Sequence, residues 1–226
     1  MNDKYDGFPS SGCIMKKLIV YAVAALVIIG AIVAVIIVML GREPEAPEPG
    51  AAPVPVAADA SNRELTDYAE DILRCIASGD YASLGAVAHP EYGVVFSPYA
   101  TIDLSANRRF TASQVAELGR DTQEYIWGIY SGTADPIRLT PPEYFERFVW
   151  DADYLRADKV KIDKVAAKGN ALENIDEVFP DARYVDFYVG PTKGSDGTDW
   201  HSLRLVLEEW EGKLMLSAVV HSEYTI

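Results

Sequence analysis

The hydrophobic pattern divides the chain before any motif does. Residues 18–40, LIVYAVAALVIIGAIVAVIIVML, form an apolar run with no charged side chain. As a helix rising about 1.5 Å per residue, such a run covers a hydrocarbon core of about 30 Å. A buried core helix of that length would keep a polar stripe. This one keeps none, and it is too long for the apolar region of a cleaved signal peptide. A transmembrane helix over 18–40 is therefore expected. Lys16 and Lys17 abut its start, whereas Arg42 is followed by Glu43 and Glu45. The positive-inside bias then leaves the tail 1–17 cytoplasmic and exports the rest.

Beyond the run, the pattern is first absent and then periodic. Residues 41–60 hold Pro44, Pro47, Pro49, Pro53 and Pro55 among Ala and Glu, the composition of a semi-rigid spacer. From Ser61 onward an α+β domain is expected over 61–226. Ser61 and Glu64 make a capping box, and Leu65, Tyr68, Ala69, Ile72, Cys75 and Ile76 recur at helical spacing until Gly79. Asp80 caps a second short helix to Ala88. VVFSPYATI at 94–102 reads as an edge strand interrupted by Pro98. Thr111 with Gln114 starts another helix over 112–119, and EYIWGIY at 124–130 is a strand. Thr140-Pro141-Pro142-Glu143 begins a helix to about Trp150. Strands near 159–163 and 182–189 flank a short helix near 171–178.

The last stretch alternates cleanly. A two-residue turn at Glu211-Gly212 pairs Trp210 with Lys213. An unbroken register then sets Leu203, Leu205 and Leu207 opposite Val220, Ala218 and Leu216, as one aliphatic face. The other face gathers Trp200, Ser202, Arg204, Val206 and Glu208, with His221 opposite Ser202 and Glu223 opposite Trp200. Early helices and a terminal meander predict helices packed on one face of a curved antiparallel sheet.

Composition adds constraints. The net charge is −14, and beyond Arg42 acids outnumber bases two to one. That balance excludes nucleic acid as a partner, because phosphate contact is driven by Lys and Arg. The two cysteines, Cys13 and Cys75, fall on opposite sides of the expected membrane helix, so no intramolecular disulfide is expected. Cys75 belongs to an apolar helix face, where it behaves as a small hydrophobe.

Four stretches carry a resemblance: FSPYA at 96–100, WGIYSGTADPIRLTPPEYFERFVWDADY at 127–154, WHSLRLVLEEWEGK at 200–213 and the terminal HSEYTI. Together they resemble an uncharacterised extracytoplasmic domain of membrane-anchored proteins and lipoproteins in Gram-positive bacteria. The resemblance covers roughly 64–226, and implies location and class without chemistry. The order of elements also resembles the NTF2-like cone, a fold that hosts enzymes and binding modules alike.

Motifs for known chemistries are absent: no HExxH, CxxC, Gly-x-Ser-x-Gly, P-loop or dinucleotide fingerprint occurs. The unbroken hairpin register puts His201 and His221 on opposite faces, so no shared metal site is expected for them. The pairs Asp151/Asp153 and Asp196/Asp199 match no complete calcium loop. No metal and no cofactor are expected. Trp127, Tyr130, Tyr144, Phe148 and Trp150 read as core aromatics, given the helical spacing of Tyr144 and Phe148. The expected ligand-binding residues are Trp200, Ser202, Arg204, Glu208 and His221 on the polar meander face.

The leading functional expectation is a single-pass membrane protein with a non-catalytic binding or interaction domain outside the cell. Its expected contacts are an envelope protein, wall polymer or small exported ligand. The alternative is an NTF2-like enzyme acting on a small exported substrate, with His221 or Glu208 as general base oriented by Arg204. For the topology, a cysteine engineered into 43–60 should react with a membrane-impermeant maleimide on intact cells. Protection of that cysteine would reverse the assigned orientation.

Overall fold

The computed structural model describes residues 52–225. The expected tail 1–17, the apolar run 18–40 and the first part of the spacer lie outside the described residues. Among the described residues, no helix is long and apolar enough to cross a membrane.

The first helix, α1 (Asn62–Ser78), starts and stops on the signals its sequence carries. Ser61 and Glu64 bond reciprocally as a capping box, and Gly79 closes the helix in the left-handed conformation, φ 68°. Its stripe of Leu65, Tyr68, Ala69, Ile72 and Ile76 is buried, with Cys75 alongside. Burial pushes the Cys75 thiol up to about 11, so it stays a neutral core residue. Asp80 caps α2 (Tyr81–Val87) through the Ser83 amide.

Among the described residues, eight strands form two sheets: β1 (Val94–Ser97), β2 (Arg108–Phe110), β3 (Tyr125–Ile129), β4 (Pro136–Leu139), β5 (Lys159–Ile162), β6 (Arg183–Val189), β7 (His201–Trp210) and β8 (Lys213–Glu223). The large sheet has the order β2-β1-β8-β7-β6-β5, and β3 pairs only with β4. The sheet is mixed rather than wholly antiparallel, because β1 runs parallel to β8. The connection between those two strands is most of the domain, which frees them from the antiparallel direction a tight hairpin imposes. Short helices α3 (Ala112–Val115), α4 (Pro141–Tyr144) and α5 (Ile175–Val178) complete the fold. Strands β2 and β4 escape sequence reading, since each is short and β4 begins on a proline.

The hairpin turns as its sequence requires, with positive φ at both Glu211 and Gly212. Its register does not run unbroken. Pairing proceeds from Trp210 with Lys213 to Leu207 with Leu216, then Val206 faces Ala218. Ser217 is thus a β-bulge, one extra residue that shifts all later partners by one. Leu203 pairs with His221 and Leu205 with Val219, while Arg204 pairs with Val220. The aliphatic face therefore carries Leu216, Val219 and His221. Ala218 and Val220 turn to the opposite side, contrary to the expected register.

Both sides of the sheet are covered. Against the first pack α1, Trp127, Tyr144, Phe148 and Tyr154 in the main core. Over the second lies a smaller cluster of Ile175, Phe179, Tyr184, Val206, Ala218 and Val220. The helix expected near 171–178 is reduced to α5, and its segment supplies this second cover. The aromatics behave as core: Trp127 stacks on Tyr144 at 3.8 Å and 9°. The spacer's end also joins the fold. Leu214 N–H donates to the Val56 carbonyl at 2.8 Å, and Ala58 N–H to that of Gly212 at 3.0 Å.

Gly93 opens β1 with φ +69°, and a Cβ there would stand 2.1 Å from the Phe110 carbonyl oxygen. Left-handed backbone alone costs an L-residue about 1–2 kcal/mol, and the contact is with backbone that cannot swing aside. Gly93→Ala should lower stability in urea by more than that amount. An unchanged midpoint would mean that β1 and β2 lie farther apart.

Candidate functional site

The bulge brings together what the regular register keeps apart. His201, at the start of β7, and His221, near the end of β8, face the same side, with ring centroids 6.3 Å apart. Opposite them the chain leaves α4 through a π-helical turn, Phe145–Val149, closed by the Trp150 amide bonding to the Phe145 carbonyl at 2.7 Å. Single π turns recur at functional positions because the extra residue re-aims the side chains after it. Here it delivers Asp151 between the two imidazoles. His201 Nδ1 lies 2.6 Å from Asp151 Oδ2, without the alignment of a hydrogen bond. His221 Nε2 lies 3.0 Å from the same oxygen.

Each of the principal groups is held from behind. The Tyr154 hydroxyl donates to Asp151 Oδ1 at 2.6 Å. His221 Nδ1 stands 2.9 Å from the Pro98 carbonyl, which can only accept, so Nδ1 carries a proton. Glu223 completes the group. Its ligand atom and those of Asp151, His201 and His221 all lie within 4.8 Å of one another. Arg147 grips Glu223 with two bonds, of 2.8 and 3.4 Å. His221 is fully buried, whereas the His201 side chain keeps 28% of its surface exposed, so the cluster opens to solvent on one side.

Electrostatics follow from this crowding. Burial works against ionisation of Asp151, but its contacts with His201, His221 and Tyr154 outweigh burial and hold the carboxyl well below its usual range. His201 is raised by Asp151 against the opposing effect of its own burial.

Beside the cluster is a cleft of about 560 Å³, lined among others by Pro98, Tyr99, Asn107, Ile129, Tyr130 and Asn170. Pro98 belongs to both, lining the cleft while its carbonyl holds His221. The Tyr99 hydroxyl accepts from the Ser131 amide at 3.2 Å, tying the β3–β4 turn across the rim. Asn170 donates to the Thr225 carbonyl at 2.6 Å, two residues beyond Glu223.

The residues expected to share the polar meander face are dispersed. His221 lies on the other face, turned there by Ser217. Arg204, Ser202 and Asp186 are fully sequestered beneath the 163–178 segment. Arg204 binds both oxygens of Glu173, at 2.6 and 3.0 Å, and its Nε lies 3.5 Å from Asp186 Oδ2. Burial raises the Glu173 carboxyl against the pull of Arg204. Asp186 also accepts from the Ser202 hydroxyl and, at 2.7 Å, from the Ala166 amide. This network pins the covering segment to the sheet. Trp200 is buried against Tyr188, 5.9 Å between centroids. Glu208 lines a separate cleft of about 270 Å³ with Arg109 and Phe179.

Asp153 turns away to Arg156 at 3.6 Å. Asp196 and Asp199 are occupied by turn bonds to Thr198 and Thr192. His89 is buried elsewhere, its Nδ1 accepting from the Tyr92 amide at 3.1 Å. Sequence reading thus named Asp151, His201 and His221 but separated them, and it left Glu223 as a neighbour of Trp200. The one faint signal for the cluster was the run Ala218-Val219-Val220 after Ser217, where apolar residues stop alternating with others.

No protein-family model matches the chain, and no curated protein matches it. Among solved structures, one described as a calcium/calmodulin dependent protein kinase II association domain from Xanthomonas campestris is similar over 77% of this chain and 95% of its own, at 12% identity and a TM-score of 0.33.

The Arg204 network carries a stability prediction. Arg204→Leu leaves Glu173 and Asp186 facing each other without a cation, and removing one member of a buried ion pair costs about 3–5 kcal/mol. Urea unfolding should show a loss of that size, part of which Arg204→Leu/Glu173→Leu restores. A single variant as stable as the parent would mean that Arg204 is not committed internally.

Proposed function

We propose that this chain is a membrane-anchored binding module of NTF2-like architecture, presented outside the cell on a proline-rich spacer, with its ligand in the cleft beside the His221 cluster. The observation that carries the reading is the cleft itself. Its volume of about 560 Å³ falls in the range of small-ligand sites, about 300–1,000 Å³. Its apolar surface comes from Pro98, Ile129 and Tyr130, and Asn107, Ser131 and Asn170 supply polar edges. The matching ligand has a compact apolar body and a hydrogen-bonding rim. Ile129 is 58% exposed there, an apolar side chain left available at the cleft wall.

A binding role also suits the interior. Trp127, Tyr144, Phe148 and Tyr154 fill the concave side of the sheet, where an enzyme of this architecture would place its substrate. Of the enzyme alternative, the pairing of His221 with Arg204 finds no support, since the two face opposite sides of the sheet and Arg204 is bound to Glu173.

The test uses the compact unit Pro49–Ile226 and a neutral apolar fluorophore, N-phenyl-1-naphthylamine. Ala106 stands exposed in the cleft wall, so Ala106→Phe should fill the cleft and weaken probe binding at least fivefold. Glu208→Gln, in the smaller cleft, should leave binding unchanged. Equal binding by parent and Ala106→Phe, with unchanged circular dichroism, would remove the cleft as the ligand site.

A further inference from the structure

We propose that Asp151, His201, His221 and Glu223 form a binding site for one divalent transition-metal ion of the zinc class. The inference does not depend on the cleft reading and assigns a second ligand to the same end of the fold. Sequence reading expected no metal site shared by the two imidazoles because it placed them on opposite faces, a placement the Ser217 bulge reverses.

The His221 tautomer is fixed by its surroundings. Its Nδ1 proton is committed to the Pro98 carbonyl, so the neutral ring turns the lone pair of Nε2 toward Asp151 Oδ2, 3.0 Å away. A lone pair facing a carboxylate is repulsive unless a cation lies between them. His201 Nδ1 crowds the same oxygen at 2.6 Å without hydrogen-bond alignment. Satisfying both contacts with protons makes His221 an imidazolium, its Nδ1 proton being already committed, and sets two N–H groups on one carboxylate oxygen, with ring centroids 6.3 Å apart. One divalent ion serves both nitrogens and the carboxylate together.

The surroundings fit that assignment. A ligating histidine characteristically donates its other ring N–H to a carbonyl or carboxylate, and ligating carboxylates are themselves hydrogen-bonded. Here Pro98 backs His221, Tyr154 backs Asp151 and Arg147 backs Glu223. Two imidazoles with two carboxylates match the borderline N/O preference of zinc-class ions, whereas calcium and magnesium favour all-oxygen sets. Bonds of about 2.0–2.2 Å in a tetrahedron separate donors by about 3.3 Å. Donor atoms spread between 2.6 and 4.8 Å reach that spacing through small side-chain rotations. The two carboxylates balance the charge of the ion, and the exposed edge of His201 gives it a way in.

The untagged full chain, purified in detergent and stripped with EDTA, should be titrated with Zn2+ by calorimetry and with Co2+ by visible absorption. Expected are one ion per chain, cobalt bands of a nitrogen- and oxygen-ligated site, and a raised thermal midpoint with Zn2+. His201→Gln and Glu223→Gln should each weaken binding at least tenfold, while Asp199→Asn leaves it unchanged. Ca2+ and Mg2+ at equal concentration should not displace Co2+. His221 is buried and its replacement risks the fold, so the partly exposed His201 and Glu223 carry the test, with circular dichroism confirming folded variants. Failure of the wild-type chain to bind Zn2+ or Co2+, binding unaffected by both variants, or preference for Ca2+ would each overturn the site. None of these outcomes alters the naphthylamine result at the cleft.

Discussion

Ser217 is one residue too many for the strand it occupies, and the direction of every side chain after it in β8 depends on that surplus. In a regular ladder Val220 would sit across from Leu203, and His221 would share a face with Arg204. With Ser217 looped out, His221 points into the main core beside Phe148, 5.7 Å between centroids, while Val220 joins the second cluster. Because side chains alternate with a period of two, one inserted residue inverts a whole strand end. The position of the bulge near mid-strand matters as well. The turn-proximal half keeps the register its turn dictates, and only the distal half, which carries the imidazole and Glu223, is reassigned.

A sheet covered on both sides must bury polar backbone and side chains, and this one does so with two polar networks on opposite faces. On the second face Arg204, Glu173, Asp186 and Ser202 close on one another, and the Ala166 amide is drawn in to complete the acceptor set. All partners come from the chain itself, so the network is structural. On the first face Asp151, His201, His221 and Glu223 leave donors facing the same oxygen and one side open. Both networks are charged and largely buried. They differ in pairing: on the second face both Glu173 oxygens bind Arg204, whose Nε keeps only a 3.5 Å contact with Asp186, whereas on the first two imidazoles crowd one carboxylate oxygen.

Local chemistry made much of the architecture legible. The caps at Ser61, Thr111 and Thr140, the stop at Gly79 and the turn at Glu211-Gly212 each act within a few residues, and each appears where the sequence places it. The core role of Trp127, Tyr144 and Phe148 was equally readable, from spacing alone. What could not be read was non-local. Short strands such as β2 and β4 owe their existence to partners, and the parallel pairing of β1 with β8 has no local signature. The bulge has only a faint one, because a serine in a strand is ordinary. The candidate site was misassembled for that reason: its residues were noticed singly, and an error of one in register divided them between two faces.

The two ends of the long hairpin have different neighbours. At the turn end, the backbone of residues 56–58 is stitched to Gly212 and Leu214 by two backbone hydrogen bonds. His201 and Glu223 occupy the other end, a strand length of about 30 Å away at about 3.3 Å per residue. The domain is therefore polar in the mechanical sense, with the incoming chain fastened at one pole and the imidazole cluster and its cleft at the other. Tension applied through residues preceding Pro53 would first peel those two bonds, releasing slack before any load reached the β7–β8 ladder. The site is thus insulated from any pull on the chain that precedes the domain.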